Sequence, residues 1–229
     1  MKRFYKQAAI EAGQVLLDGR PVKTPARRPL VLPTQPLADA VAAEWNGQGE
    51  DVLPRTMPFT GLANAAIDHV APDTEAFAAG LAQYGESDLL CYRADAPESL
   101  VARQSALWDP ILAWARRRFD VDFEVVTGII HRAQPACTLA QLSHAVAVRS
   151  PFELAALSPL VTISGSLLIA LALAEDAIGL DQAWAAATAD EAWQAEQWGE
   201  DAEATARLEA RRAEFEAGYR FLQLLHPVA

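Results

Sequence analysis

The sequence predicts an α+β fold: a small β-rich N-terminal domain with one helix over residues 1–50, followed by a larger α-helical domain over residues 51–229. Three observations predict it. Arg3–Pro33 carries extended, proline-punctuated segments around an Asp18-Gly19 pair, the strongest short-range hairpin signal. From Thr60 onward the apolar residues recur mostly at helical spacing. Between these regions, Glu50–Pro58 shows neither period and reads as a linker.

In the β region, Pro21, Pro25 and Pro29 predict edges and bends rather than long central strands, and Leu30–Leu32 offers one more strand. So small a sheet cannot stand alone and must lean on the helical part of the chain. Thr34 is a candidate N-cap for a helix through Asn46, with Leu37, Val41 and Trp45 on its inner face. Thr60 is a candidate cap for a helix over Gly61–Val70, and Thr74–Tyr84 repeats the helical pattern. Ser87–Ala94 is too short for periodicity to decide, and Val121–Gly128 alternates like a strand or an extended connector. Pro97–Phe119 is strongly amphipathic, with Pro110 expected to kink or divide it. After a helix at Thr138–Arg149, Ser150-Pro151-Phe152-Glu153 is a full capping box. The helix it opens is expected to break at Ser158-Pro159 and resume as the apolar run Leu160–Ala174. Asp181 is the expected cap of the next helix, and Ala202–Leu225 forms the last, for about six to eight helices in that domain.

Composition narrows the function classes. Of 229 residues, 52% are hydrophobic, which is a folded chain rather than a disordered one. The net charge of −11 argues against a general nucleic-acid binder. The charge is uneven. Residues 1–32 hold seven Lys/Arg against Glu11 and Asp18, whereas residues 190–216 hold nine Asp/Glu against Arg207, Arg211 and Arg212. Cys91 and Cys137 are in no metal spacing and imply no disulfide framework, which fits a reducing compartment. The start MKRFYKQAAIEAG has no apolar core of a signal peptide, and it is not an Arg/Ser-rich, acid-poor transit peptide. Leu160–Ala174 falls short of the roughly 20 residues of a membrane span, so no membrane insertion is expected.

The most informative stretch is Asp190–Asp201, DEAWQAEQWGED, with two tryptophans, five carboxylates and two glutamines. On a helix advancing about 100° per residue, Trp193 and Trp198 point roughly 140° apart and cannot share one narrow apolar stripe. At least one indole therefore belongs at a boundary beside carboxylates. An ordinary amphipathic helix whose tryptophans rim the core is one reading. The other is a partner-binding face, since aromatic anchors with a polar rim build interface hot spots.

Catalytic signals are sparse. The chain has no Walker loop, G-x-G-x-x-G, H-E-x-x-H or G-x-S-x-G. His69, His131, His144 and His226 have no partner at metal-ligand spacing. Gly165 and Ser166 inside the apolar run read as small residues for close helix packing. So little site chemistry favours a binding protein without cofactor or metal.

Several blocks in order resemble one family. RFYK at Arg3–Lys6, LLDGRPVKTP at Leu16–Pro25 and AVAAEW at Ala40–Trp45 are similar to its N-terminal block. MPFTGLANAAID at Met57–Asp68 and SDLLCYRA at Ser87–Ala94 are similar to its middle. QSALWDPILAW at Gln104–Trp114, the pair Gly165-Ser166 and Asp190–Asp201 are similar to its C-terminal blocks. The family is the Atp-twelve type assembly chaperone of F-type ATP synthase. The resemblance implies a non-enzymatic chaperone that binds the free α subunit of the catalytic head and prevents its aggregation until it meets β. It also implies a small N-terminal β domain before a helical one. A bacterial member acting in the cytoplasm as a monomer is expected, with organellar relatives in the mitochondrial matrix. The expected partner-binding residues are Glu196, Trp198, Glu200 and Asp201, with Trp193, Asp190 and Glu191 beside them; an acidic residue at Glu196 is what the family pattern implies. Two rivals are a hydrolytic enzyme using an unrecognised Asp/Glu-His site, and a homo-oligomeric scaffold joined through Trp193 and Trp198.

Overall fold

The computed structural model describes residues 1–199 and 201–226. Strands β1 (Ala8–Glu11), β2 (Gln14–Leu17) and β3 (Arg20–Pro21) come first, then helices α1 (Gln35–Asn46), α2 (Pro58–Ala65) and α3 (Thr74–Ala82). Strand β4 (Tyr92–Arg93), helix α4 (Glu98–Phe119) and strand β5 (Val126–Thr127) come next. Helices α5 (Ala136–Ala147), α6 (Pro151–Ser164), α7 (Leu167–Ala174), α8 (Leu180–Ala187), α9 (Ala189–Trp198) and α10 (Ala202–Leu225) complete the order. The fold is α+β, a short N-terminal sheet ahead of a mostly helical chain, as the hairpin signal and helical periodicity predict. By packing, the chain forms two compact units that are discontinuous in sequence. One holds Met1–Thr74, Ser150–Ala156 and the C-terminal segment from Arg220; the other holds Glu75–Arg149 and Leu157–Tyr219.

In the first unit, β1-β2-β3 is an antiparallel meander with Ala8 opposite Leu17 and Leu17 opposite Arg20. The Asp18-Gly19 turn has positive φ at both residues, 47° and 79°, the geometry that matches strand twist. The Asp18 carboxylate also accepts the Lys6 and Gln7 N–H groups at 3.0 Å each, and these bonds hold its pKa below the ordinary value. A second turn of the same kind, at Ala12 (48°) and Gly13 (78°), joins β1 to β2. Alanine carries no turn signal, so Gly13 alone marks this hairpin in the sequence. Leu30–Leu32 runs along β2: Val15 N donates to Leu30 O at 3.3 Å and Leu32 N to Gly13 O at 2.8 Å. A Cβ on Gly13 would lie 2.8 Å from Leu32 O, so glycine is required there by close approach as well as by φ.

Helix α1 starts at the expected cap. Thr34 Oγ1 accepts from Leu37 N at 3.4 Å and donates to Leu224 O at 2.7 Å. Leu37 and Val41 are buried; Trp45, expected on the same inner face, is half-buried. Asn46 closes the helix onto β1, accepting from Ala8 N at 2.8 Å and donating to Ala8 O at 3.0 Å. The stretch that reads as a linker is packed: Val52 and Met57 join Tyr5, Ala8 and Leu17 in one apolar cluster. Thr60 does not cap the next helix. Helix α2 begins at Pro58, and its cap comes from another element: Glu44 of α1 accepts Phe59 N at 2.7 Å, Thr60 N at 2.8 Å and the Thr60 hydroxyl at 2.7 Å. A carboxylate at a helix start satisfies free N–H groups and suits the dipole, which outweighs a local threonine. Burial raises the Glu44 pKa. The capping box opening α6 forms as its spacing predicts, with Ser150 N donating to Glu153 Oε2 at 2.8 Å and Glu153 N to Ser150 Oγ at 3.3 Å.

In the second unit, α4 runs undivided through Pro110, so of the two outcomes expected there, a kink or a division, the division does not occur. Proline removes the bond to the carbonyl four residues back, and both Pro110 and Ala106 lie on the exposed side of the helix, where solvent is at hand for the freed group. Helix α6 likewise continues through Pro159. The break falls instead at Gly165, with φ of 67°. A Cβ there would meet nothing within 4 Å, so this glycine serves the turn rather than close packing. Ser166 then caps α7, accepting from Ile169 N at 3.1 Å, and α7 is buried from Leu167 to Leu173. Below this cap sits Asp88, 1% exposed, which accepts the Ser166 hydroxyl at 2.7 Å, Leu168 N at 3.0 Å and Leu90 N at 3.0 Å. Burial pushes its pKa up to about 6 against those stabilising bonds.

The segment that periodicity left undecided is a single turn at Leu89–Cys91 leading into β4, which pairs in parallel with β5, Tyr92 beside Val126. Cys91 is 1% exposed, and burial raises its thiol pKa to about 12; Cys137, on α5, is exposed. Helix α8 is preceded by Gly179, and Asp181 lies in its first turn, pairing with Arg212 at 2.9 Å, instead of capping it. Among the described residues, no helix is long and apolar enough to cross a membrane.

Candidate partner-binding site

Helix α9 carries most of the residues that sequence nominated. Helix α9 is separate from α8: Thr188 closes α8 by donating its hydroxyl to Trp184 O at 2.8 Å, and α9 starts at Ala189. It also ends before the predicted stretch does, because Gly199 turns to φ 88° and ψ 167° after Trp198.

Each carboxylate on α9 has a partner. Asp190, half-buried, accepts from Gln104 Nε2 at 2.8 Å. Gln104 is itself 2% exposed, and its Oε1 accepts from Ala94 N at 2.8 Å, so this buried amide is satisfied on both sides. Glu191 lies 3.6 Å from the Arg211 guanidinium. Glu196 accepts from Arg103 Nη2 at 2.6 Å, and that charge-assisted bond holds its pKa below the ordinary value and raises that of Arg103. Asp201 is the cap of α10, with Oδ2 accepting from Ala204 N at 3.1 Å. Glu200 lies outside the described residues.

The two indoles meet despite their angular separation. Trp193 and Trp198 pack edge-to-face, 6.0 Å between centroids and 85° between planes. Their five-residue spacing puts them on different faces, yet aromatic side chains are long enough to lean together across that gap. Trp193 is half-buried, its N–H donating to Ser99 Oγ at 3.2 Å. Trp198 stands 76% exposed. The expectation of a boundary tryptophan is met by this pair, one anchored and one presented.

Helix α4 supplies what the sequence reading missed. Ser99, Arg103 and Gln104 hold α9 in place, and Trp108 Nε1 donates to Ala186 O at 2.8 Å on the preceding helix. A signal existed: Gln104 stands among apolar residues on the inward face of α4, where a polar side chain needs a partner.

The arrangement presents one exposed indole on a short helix whose three carboxylates are each held by a partner, Gln104, Arg211 or Arg103. Histidines lie elsewhere: His131 Nδ1 is 3.0 Å from Tyr92 Oη, and His226 Nε2 is 3.2 Å from Glu153 Oε1, both exposed. Among the described residues, no three His, Cys, Asp or Glu side chains are grouped to hold a metal ion.

A family model described as ATP12 chaperone protein matches residues 2–116. Among solved structures, Atp12 from Paracoccus denitrificans is 43% identical with a TM-score of 0.93, covering 98% of each chain. A variant of that protein with one aspartate changed to lysine is 42% identical, with the same TM-score and coverage. The Atu1473 protein of Agrobacterium tumefaciens is 44% identical with a TM-score of 0.93, covering 98% of this chain and 86% of that one. With this identity running the length of the fold, the chain belongs to the ATP12 family of chaperones, which serve ATP synthase assembly.

Proposed function

We propose that this chaperone binds the free α subunit of the F-type ATP synthase catalytic head, and keeps it from aggregating until β replaces it. An unassembled α subunit exposes apolar surface destined for β, and such surface aggregates. The observation that carries the reading is Trp198, 76% exposed, edge-on to the anchored Trp193 and flanked on the same helix by Asp190, Glu191 and Glu196. An exposed aromatic gives contact area, while the charged groups of the same helix set specificity and encounter rate more than raw affinity. Glu196, Trp198, Glu200 and Asp201 form the contact, with Trp193, Asp190 and Glu191 supporting it. The protein works as a monomer in the bacterial cytoplasm and transforms no substrate.

Co-expression with α alone tests this. The expected result is soluble α that co-purifies with this chain, whereas in cells that make the whole synthase this chain is absent from the assembled-synthase fractions. Failure to recover α on the chaperone would overturn the reading. Unchanged capture by a folded variant carrying Trp198→Ala and Glu196→Lys would remove α9 from the contact.

A further inference from the structure

The β unit holds a cavity of about 500 Å³, lined by Tyr5, Trp45, Leu17, Val22, Arg20 and Lys23, among others. That size lies within the range of ligand-binding clefts. Phe4 also lines it and is 67% exposed, edge-on to Tyr5, with Tyr5 in turn edge-on to Trp45. An aromatic row with one ring left in water is an unfilled contact surface.

The charge on the wall is net positive, Arg20 and Lys23 against Asp18. Asp18 is the only acid lining the cavity among the described residues, and its carboxylate is occupied by Lys6 N and Gln7 N. Arg3, nearby, is also spent: its guanidinium lies 4.7 Å over the Tyr5 ring and donates to Gln48 O and Lys6 O. Among the described residues, Arg20 and Lys23 have no ion pair. They belong to a segment, residues 1–32, with seven Lys/Arg against two acids. Such a field draws anionic groups to the aromatic row.

We propose that this cavity is a second docking site of the chaperone, and that its occupant is an extended polypeptide segment with a bulky apolar side chain beside carboxylates. The apolar side chain fills the space between Tyr5, Trp45 and Phe4, and the carboxylates meet Arg20 and Lys23. The inference rests on the chaperone reading only in taking the occupant to be a polypeptide. It is independent of α9.

The test uses the full chain and a fluorescein-labelled peptide with a central Phe-Leu flanked by Asp and Glu. One counterpart carries lysines as flanks, and another has a Ser-Gly centre. Anisotropy is expected to show saturable binding of the first peptide, and binding of both counterparts weaker by about tenfold or more. Arg20→Glu with Lys23→Glu is expected to cost about tenfold as well, while Trp198→Ala leaves affinity unchanged. On the unsubstituted chain, the peptide is expected to shift the Trp45 indole resonance and to leave those of Trp193 and Trp198 in place. Equal binding of the lysine-flanked peptide, absence of saturation, or indifference to the double charge reversal would overturn the proposal. So would self-association that the charge reversal abolishes while the peptide does not bind, since the occupant would then be a second copy. Loss of α capture with peptide binding retained counts against the client reading alone; the reverse result counts against this cavity alone.

Discussion

The Ser166 hydroxyl donates to Asp88 Oδ1 at 2.7 Å across 78 positions of sequence, and the same carboxylate accepts Leu90 N and Leu168 N. One buried acid thus joins the turn before β4 to the start of α7. Asp88→Ala would leave three buried donors without acceptors. The expected cost is about 3 kcal/mol, seen as a fall of roughly 6–12 °C in Tm. A fall below about 2 °C would show that water replaces the carboxylate.

The same residue sets a pH dependence. An unfolded chain releases the Asp88 proton near 3.8, whereas the folded chain holds it up to about 6. Between those values the folded state carries a proton that the unfolded state lacks, so the contribution is present in full below about pH 4 and is lost as pH rises through about 6. Asp88→Asn cannot titrate. The stability of the unsubstituted chain minus that of this variant, from urea unfolding, should shrink by about 2 kcal/mol between pH 4 and pH 7. A difference that widens with pH would mean that the folded protein holds this proton less tightly than the unfolded chain.

Glu44 tests a cap supplied in trans. It accepts three hydrogen bonds from Phe59 and Thr60 at the start of α2. Glu44→Ala should lower stability by about 2 kcal/mol in urea unfolding, and Glu44→Gln, which keeps one acceptor, by less. Equal losses would show that side-chain volume rather than acceptance matters there.

Trp198 separates folding from function. At 76% exposure it buries little, so Trp198→Ala should change stability by no more than about 0.5 kcal/mol. Capture of α should nevertheless fall. A variant that is clearly less stable would recast Trp198 as a structural ring.

The Arg103–Glu196 pair, 2.6 Å apart, separates positioning from recognition. Glu196→Lys should fold and capture less α. Arg103→Glu combined with Glu196→Lys restores an ion pair of opposite sense. Capture should stay low if the acid itself faces the client, and a return to full capture would make the pair a positioning device.

Local chemistry made much of this architecture legible. Thr34, the Asp18-Gly19 turn and the Ser150–Glu153 box act through neighbours in sequence, and each appears where the residues place it. The misses share a cause. Glu44 capping α2, Asp88 beneath α7 and Arg103 against Glu196 are bonds between different elements, 16, 80 and 93 positions apart, and no single element's pattern contains both partners. Pro159 misled for a different reason: whether a proline ends a helix depends on the packing that holds the chain on either side of it, and α6 runs on past it to Ser164. On α9, the sequence located the tryptophans and acids but not their support, because Ser99, Arg103 and Gln104 lie more than eighty residues upstream.

The contrast between the two cysteines gives the native chain a practical handle. A thiol raised to about 12 and 1% exposed carries almost no reactive thiolate at neutral pH, whereas Cys137 is open on α5. A maleimide dye should therefore attach once per molecule without any engineering. Energy transfer from that fixed point to a labelled client would report, in real time, when a guest arrives and when it leaves.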